Sequence, residues 1–220
     1  MGYLDDKPSH RGRGCCYNEQ GAGVAITYQN RRGDTYHLLV GKTKTGKPKY
    51  YVSKKPGENT VDTLPDGYEL YESPENAQVH VRKIRSTAIL PFERELAVAG
   101  VKKATGQQHF FVEAEGDNLL IYWPATNPAD VDSIFGRLLG ASPSDAASMA
   151  EWTRQHTRYE PRMRFVLVQA RDRRFVAERM CYRGGGEFWL DISSQGELAQ
   201  LVAEYTPHLG QESYFELGPY

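Results

Sequence analysis

The sequence predicts an α+β protein, with mostly antiparallel strands in two β-rich halves and about four helices. Three observations lead there. Segments rich in β-branched and aromatic residues follow one another across Gly-, Asn-, Asp- and Pro-containing turns. They do not alternate regularly with helices, which argues against a doubly wound parallel sheet. Finally, the chain has 220 residues, 40% of them apolar and 25% charged, enough to bury a sizeable core in one large domain or two small ones.

Residues 1–21 are polar and rich in Gly, Arg and Asp, and are expected to form an arm. Residues 22–88 read as a β-rich subdomain with a basic and an acidic part, and residues 89–220 as an α+β subdomain. In the first, strands are expected over 24–28, 35–40, 49–52, 68–71 and 77–84. Arg31-Arg32-Gly33-Asp34, residues 43–47 and Pro65-Asp66-Gly67 supply turns. Within 77–84, Val79, Val81 and Lys83 alternate with His80 and Arg82, a half-buried pattern.

Pro91 opens the first helix, with Phe92, Leu96 and Ala99 on one face and Gly106 near its end. A hairpin follows, 109–114 and 119–123, over residues 115–118. Asn127 and Pro128 then start a helix whose Val131, Ile134, Phe135, Leu138 and Leu139 share a face, and Gly140 stops it. Ser142, Pro143 and Asp145 begin another at once, with Ala146, Met149 and Ala150 facing inward, so the two form an αα-hairpin. Strands are expected over 164–169, 174–180 and, after three glycines, 188–192. Ser194 and Glu197 read as a capping box for the stripe Leu198, Leu201, Val202 and Tyr205. Pro207 and Gly210 stop that helix, and 214–217 reads as a last short strand.

No run of about 18 apolar residues occurs, so no membrane span is expected. Residues 1–20 lack the apolar stretch of a signal peptide. Cys15, Cys16 and Cys181 are odd in number, and adjacent cysteines rarely bridge each other. Together these point to a soluble protein of a reducing compartment, the cytoplasm.

Net charge is −1, so any electrostatic function has to come from local clustering. Residues 31–55 hold Arg31, Arg32, Lys42, Lys44, Lys47, Lys49, Lys54 and Lys55 against Asp34 alone, a net +7. Residues 56–76 hold six carboxylates and no cation, a net −6. Residues 162–183 hold seven arginines against Asp172 and Glu178, a net +5. These clusters suggest a non-enzymatic binding protein that contacts nucleic acid or another polyanion through basic hairpins. The candidate contacts are Arg31, Arg32, Lys42, Lys44, Lys47, Lys49 and Tyr50 in the first, and Arg171, Arg173 and Arg174 in the second. Lysines neutralise phosphates, arginine forks pair them in bidentate fashion, and Tyr36, Tyr50 or Tyr51 can stack on bases. Three alternatives stand beside this reading. Acidic and basic strands neutralise each other, or basic tips protect sheet edges, or the chain is an interaction subunit with a protein or homo-oligomeric partner. An enzyme of unrecognised type is a fourth.

Gly41-Lys42-Thr43-Lys44-Thr45-Gly46-Lys47 fits the spacing of a phosphate-cradling P-loop. It is rejected on two grounds. Pro48 stands where a Ser or Thr hydroxyl should reach Mg²⁺, and the following residues read as a strand instead of the helix whose amides hold the phosphates. The same stretch, GKTKTGKPKYYVSKK, with Gly33-Asp34-Thr35-Tyr36 before it and Pro65–Glu72 and Asn76–Val79 after it, resembles a segment of a family of uncharacterised bacterial proteins. The resemblance covers about a quarter of the chain and implies no function.

No catalytic residues can be assigned, and no cofactor or metal is expected. His10 with Cys15 and Cys16 lacks the paired spacing and fourth ligand of a zinc site. Glu113, Glu115 and Asp117 gather at a hairpin and read as a solvated turn. Phe110-Phe111, Tyr122-Trp123 and Phe188-Trp189 are strand neighbours, so one ring of each pair faces the core and the other needs a second layer or a partner.

Overall fold

The computed structural model describes residues 25–126, 148, 151–153, 155–183 and 185–218. It divides into two units, one of Met1–Ser73 with Ala77–Ile84, the other of Pro74–Asn76 with Arg85–Tyr220.

The first unit carries a three-stranded antiparallel sheet, β1 (Thr27–Gln29), β2 (Thr35–Lys42) and β3 (Pro48–Ser53), in that order. Asn30, 4% exposed, organises the β1–β2 turn. Its Oδ1 accepts the Arg32 and Asp34 amides at 3.1 and 2.8 Å, and its Nδ2 donates to the Ala77 carbonyl at 2.8 Å. That is Asx-turn chemistry, in which a short side chain imitates the backbone. Residues 59–61 run along the edge of β2, with Val40 donating to Asn59 and Val61 to Leu38, each at 3.0 Å. A two-stranded ribbon, β4 (Tyr68–Glu72) and β5 (Val79–Lys83), completes the unit. Leu38, Leu39, Ala77 and Val79 are buried. The strand expected from residue 77 begins at Val79, because Ala77 is left-handed (φ 59°) and closes the turn by donating to Ser73 at 2.9 Å.

The second unit is a six-stranded antiparallel sheet. Strands β6 (Phe111–Glu115), β7 (Asn118–Pro124), β8 (Tyr159–Gln169), β9 (Arg174–Arg183) and β10 (Gly186–Asp191) form a meander, and the short β11 (Gly196–Glu197) also pairs with β9. Two helices, α1 (Pro91–Thr105) and α2 (Leu198–Tyr205), pack against it. Ile121, Met163, Phe165, Phe175 and Ala177 of the sheet meet Ala97, Val101, Leu201 and Val202 of the helices in one core. Each large side chain buried there contributes about 1.5–3 kcal/mol. Helix α1 approaches α2 at Gly100, where a Cβ would overlap Val202 Cγ1.

The α+β class and the antiparallel sheets are present. Among the described residues there are three helical segments, α1, α2 and one ending at His156, and not four. The helix expected over 127–140 lies outside the described residues, as does that over 142–150 apart from Ser148, which is helical. Three local expectations are corrected. The buried face of α1 is Glu93, Ala97 and Val101, while Phe92 is 59% exposed. Ser194 does not cap α2: the N-cap is Glu197, delivered by the β11 pairing with β9. Residues 214–217 form no strand, because a 3₁₀ turn, Glu212–Tyr214, turns the chain there.

Candidate polyanion-binding hairpin

The β2–β3 hairpin closes on a turn whose hydrogen bonds fix its tip. Thr43 donates its amide to the Lys47 carbonyl at 2.8 Å, Gly46 donates to Thr43 at 2.9 Å, and the Lys47 amide reaches Thr43 Oγ1 at 3.1 Å. Gly46 has φ 80°, a conformation that costs most side chains about 1–2 kcal/mol, so the glycine is what lets the turn close. β3 starts at Pro48, directly after Gly46-Lys47. No helix N-terminus follows, so the P-loop spacing has no phosphate cradle behind it.

Lys42, Lys44, Lys47 and Lys49 surround this tip. All four are exposed, and none has an ion-pair partner among the described residues. Register places Lys42 opposite Pro48 and Lys49 opposite Gly41. A cleft of ≈ 360 Å³ lies beside the tip, lined by Val40, Gly41, Lys42, Gly46, Pro48 and Asn59. That is the lower end of the size range of ligand pockets.

The other residues singled out in the first cluster have different surroundings. Arg31 is committed within the fold: its Nη1 bonds Glu72 at 3.0 Å and the Ser73 carbonyl at 2.9 Å. Glu72 also accepts the Tyr28 hydroxyl at 3.1 Å and the Arg31 amide at 3.2 Å. Arg32 is half-buried, and its Nε has no hydrogen-bond partner. Lys54 pairs with Asp34 at 2.8 Å on the surface. That hydrogen bond holds the Asp34 carboxyl below its ordinary value and the Lys54 ammonium above its own. Neutralisation between the basic and acidic stretches thus reaches Arg31. Glu69 is taken by Arg82 at 2.7 Å, and the tip lysines are left out.

The tyrosines divide between the two faces of β3. Tyr50 is half-buried, its ring 6.4 Å from that of Tyr68. Tyr51 is 41% exposed and shares a face with Lys49. The strand alternation carried this distinction, although the candidate contacts included Tyr50 and not Tyr51.

The arginine cluster of the second unit is mostly internal. Arg162 pairs with Glu160 at 3.1 Å. Arg164 donates Nε to Glu178 at 2.7 Å and lies 4.5 Å from the Trp189 ring. Arg173 grips the buried Glu93, Nε to Oε1 at 2.8 Å and Nη2 to Oε2, and also bonds the Ala88 carbonyl at 3.1 Å. Arg179, 9% exposed, donates to the carbonyls of Leu217 at 2.6 Å and Phe215 at 3.3 Å. Arg171 is exposed and Arg174 half-buried, and neither has an ion pair among the described residues.

Glu115 of the carboxylate group at the β6–β7 hairpin pairs with Arg85. Among the described residues no group of three His, Cys, Asp or Glu side chains is placed to hold a metal ion. His10, Cys15 and Cys16 lie outside the described residues. A second cleft, of ≈ 270 Å³, includes Trp123, Arg162, Gly210 and Tyr214. Burial pushes the Tyr214 hydroxyl up to about 12, with Arg162 and Arg179 opposing. That hydroxyl donates to the carbonyls of Arg162 and Met180, the latter at 3.1 Å, and so anchors the backbone. No helix among the described residues is long and apolar enough to cross a membrane. The chain matches no protein-family model, no curated protein and no solved structure.

Proposed function

We propose that this chain is a binding protein that contacts nucleic acid or another polyanion through the β2–β3 hairpin. One observation carries the reading: Lys42, Lys44, Lys47 and Lys49 stand exposed and without ion pairs among the described residues around a turn held by three hydrogen bonds. The turn hydrogen bonds fix the backbone of the tip, so binding has to order the lysine side chains but not the backbone. Arg31 and Arg173 are structural in this reading, and Arg171, Arg174 and Arg32 are accessory. In this reading the protein acts in the cytoplasm.

The test is a fluorescence anisotropy titration of labelled single- and double-stranded oligonucleotides across a salt series. Each phosphate neutralised contributes about −0.7 to −0.9 to the slope of log K against log salt, so four contacts give a slope near −3. Replacing Lys44 and Lys47 by Glu is expected to remove at least half of that slope. Absence of binding at low salt to either nucleic acid and to inorganic polyphosphate rules the reading out.

A further inference from the structure

We infer that the polyanion is single-stranded nucleic acid and that Tyr51 is the residue on which a base stacks. This rests on the polyanion reading and adds its substrate class and a specificity residue.

The argument begins with the glycine opposite Lys49. A Cβ at Gly41 would stand 3.3 Å from Tyr51 Cε1, closer than most real Cβ contacts. The ring therefore lies against the bare backbone of β2, supported on one side by a strand that is itself hydrogen-bonded on both edges. It remains 41% exposed. Lone exposed aromatics are ordinary on protein surfaces. This one is different in its neighbours: Lys49 is on the same face two residues away, and Lys47 and Lys44 lie beyond it toward the tip. A phenol lying against bare backbone beside ammonium groups that have no ion pair among the described residues is the combination that single strands require, a stacking platform next to phosphate contacts. A duplex keeps its bases stacked on one another and offers the ring no face. A polyphosphate chain has no base and would use the lysines alone. Tyr50 is half-buried with its ring 6.4 Å from that of Tyr68, and so offers less free ring than Tyr51.

The experiment uses the full chain and a fluorescent oligothymidylate, with inorganic polyphosphate and a DNA duplex as competitors. Tyr51→Ala is expected to weaken oligothymidylate binding about 5- to 150-fold, the range that loss of one stacked base implies. The salt slope and the polyphosphate competition stay as in the parent chain, and Tyr51→Phe keeps its affinity. Photo-crosslinking of a bromouracil-containing strand to the unmodified chain, followed by peptide mapping, needs no variant. Its adduct is expected on the peptide containing Tyr51. Equal binding of oligothymidylate by Tyr51→Ala, equal affinity for duplex and single strand, or an adduct elsewhere overturns the inference and leaves polyanion binding standing. Failure of every polyanion to bind at low salt overturns both.

Discussion

Substituting Gly100 by Ala sets two well-measured effects against each other. In an exposed helix interior the change stabilises by about 1 kcal/mol, because glycine surrenders more backbone freedom on folding. In α1 the new methyl group would overlap Val202 Cγ1. Val202 is 2% exposed and β-branched, and in a helix such a side chain has essentially one rotamer, so it cannot turn aside. Overpacking of this kind costs about 1–3 kcal/mol, and an overlap this close belongs at the upper end. The expected result is a net loss of about 2 kcal/mol, read as a lower urea midpoint at unchanged slope by circular dichroism. Val202→Ala alone removes two methyl groups and costs about 2 kcal/mol with its cavity. In the double variant the alanine at 100 occupies the vacated space, so the pair is expected to be less destabilised than the sum by at least about 1 kcal/mol. A more stable Gly100→Ala, or strict additivity, would show that α1 and α2 do not meet at this glycine.

Two further outcomes follow from the second unit. Tyr214 is held at about 12 by burial, above the value of 10.0 it has when exposed. Above the lower value the unfolded chain releases this proton while the folded chain keeps it, so stability contributed below pH 10 is lost as pH rises toward 12. Tyr214→Phe is expected to flatten that segment of a denaturation-versus-pH curve, and an unchanged slope would contradict the burial argument. Arg173→Ala leaves the Glu93 carboxylate, 2% exposed, with the Leu90 amide as its remaining donor among the described hydrogen bonds. A loss of about 1.5–3 kcal/mol in urea denaturation is expected, with Arg173→Lys recovering only part because an ammonium cannot reproduce the fork.

Much of the architecture was legible because its signals are local. β-branched runs bounded by turn residues marked the strands, and Pro91 with Gly106 marked α1. What lay beyond reach depended on residues distant in sequence. Arg31 meets Glu72 and Arg173 meets Glu93, 41 and 80 residues away, and no spacing rule connects them. Two clusters that look alike as lists of cations therefore separate into an open tip and an internal scaffold. The face of α1 was misread because large apolar residues guided it. The helix buries Ala97 and Val101 around Gly100 and admits Glu93 only because Arg173 arrives. Tyr50 and Tyr51 have the same chemistry, and only the parity of β3 relative to Gly41 separates them.

Arg179 gives the second unit an order of assembly in time. It stands in the middle of β9, yet the carbonyls that receive its guanidinium belong to residues 36 and 38 positions later. A ribosome adding about 5–20 residues per second makes that interval last roughly 2–8 seconds. During it β6, β7 and β8 already exist as polypeptide while β10 and β11 are still being added, and a charge destined for the interior depends on water. The nascent meander thus acquires the acceptors for this charge only with its late segment, and synthesis that pauses within that interval is expected to prolong its exposure to chaperones and proteases.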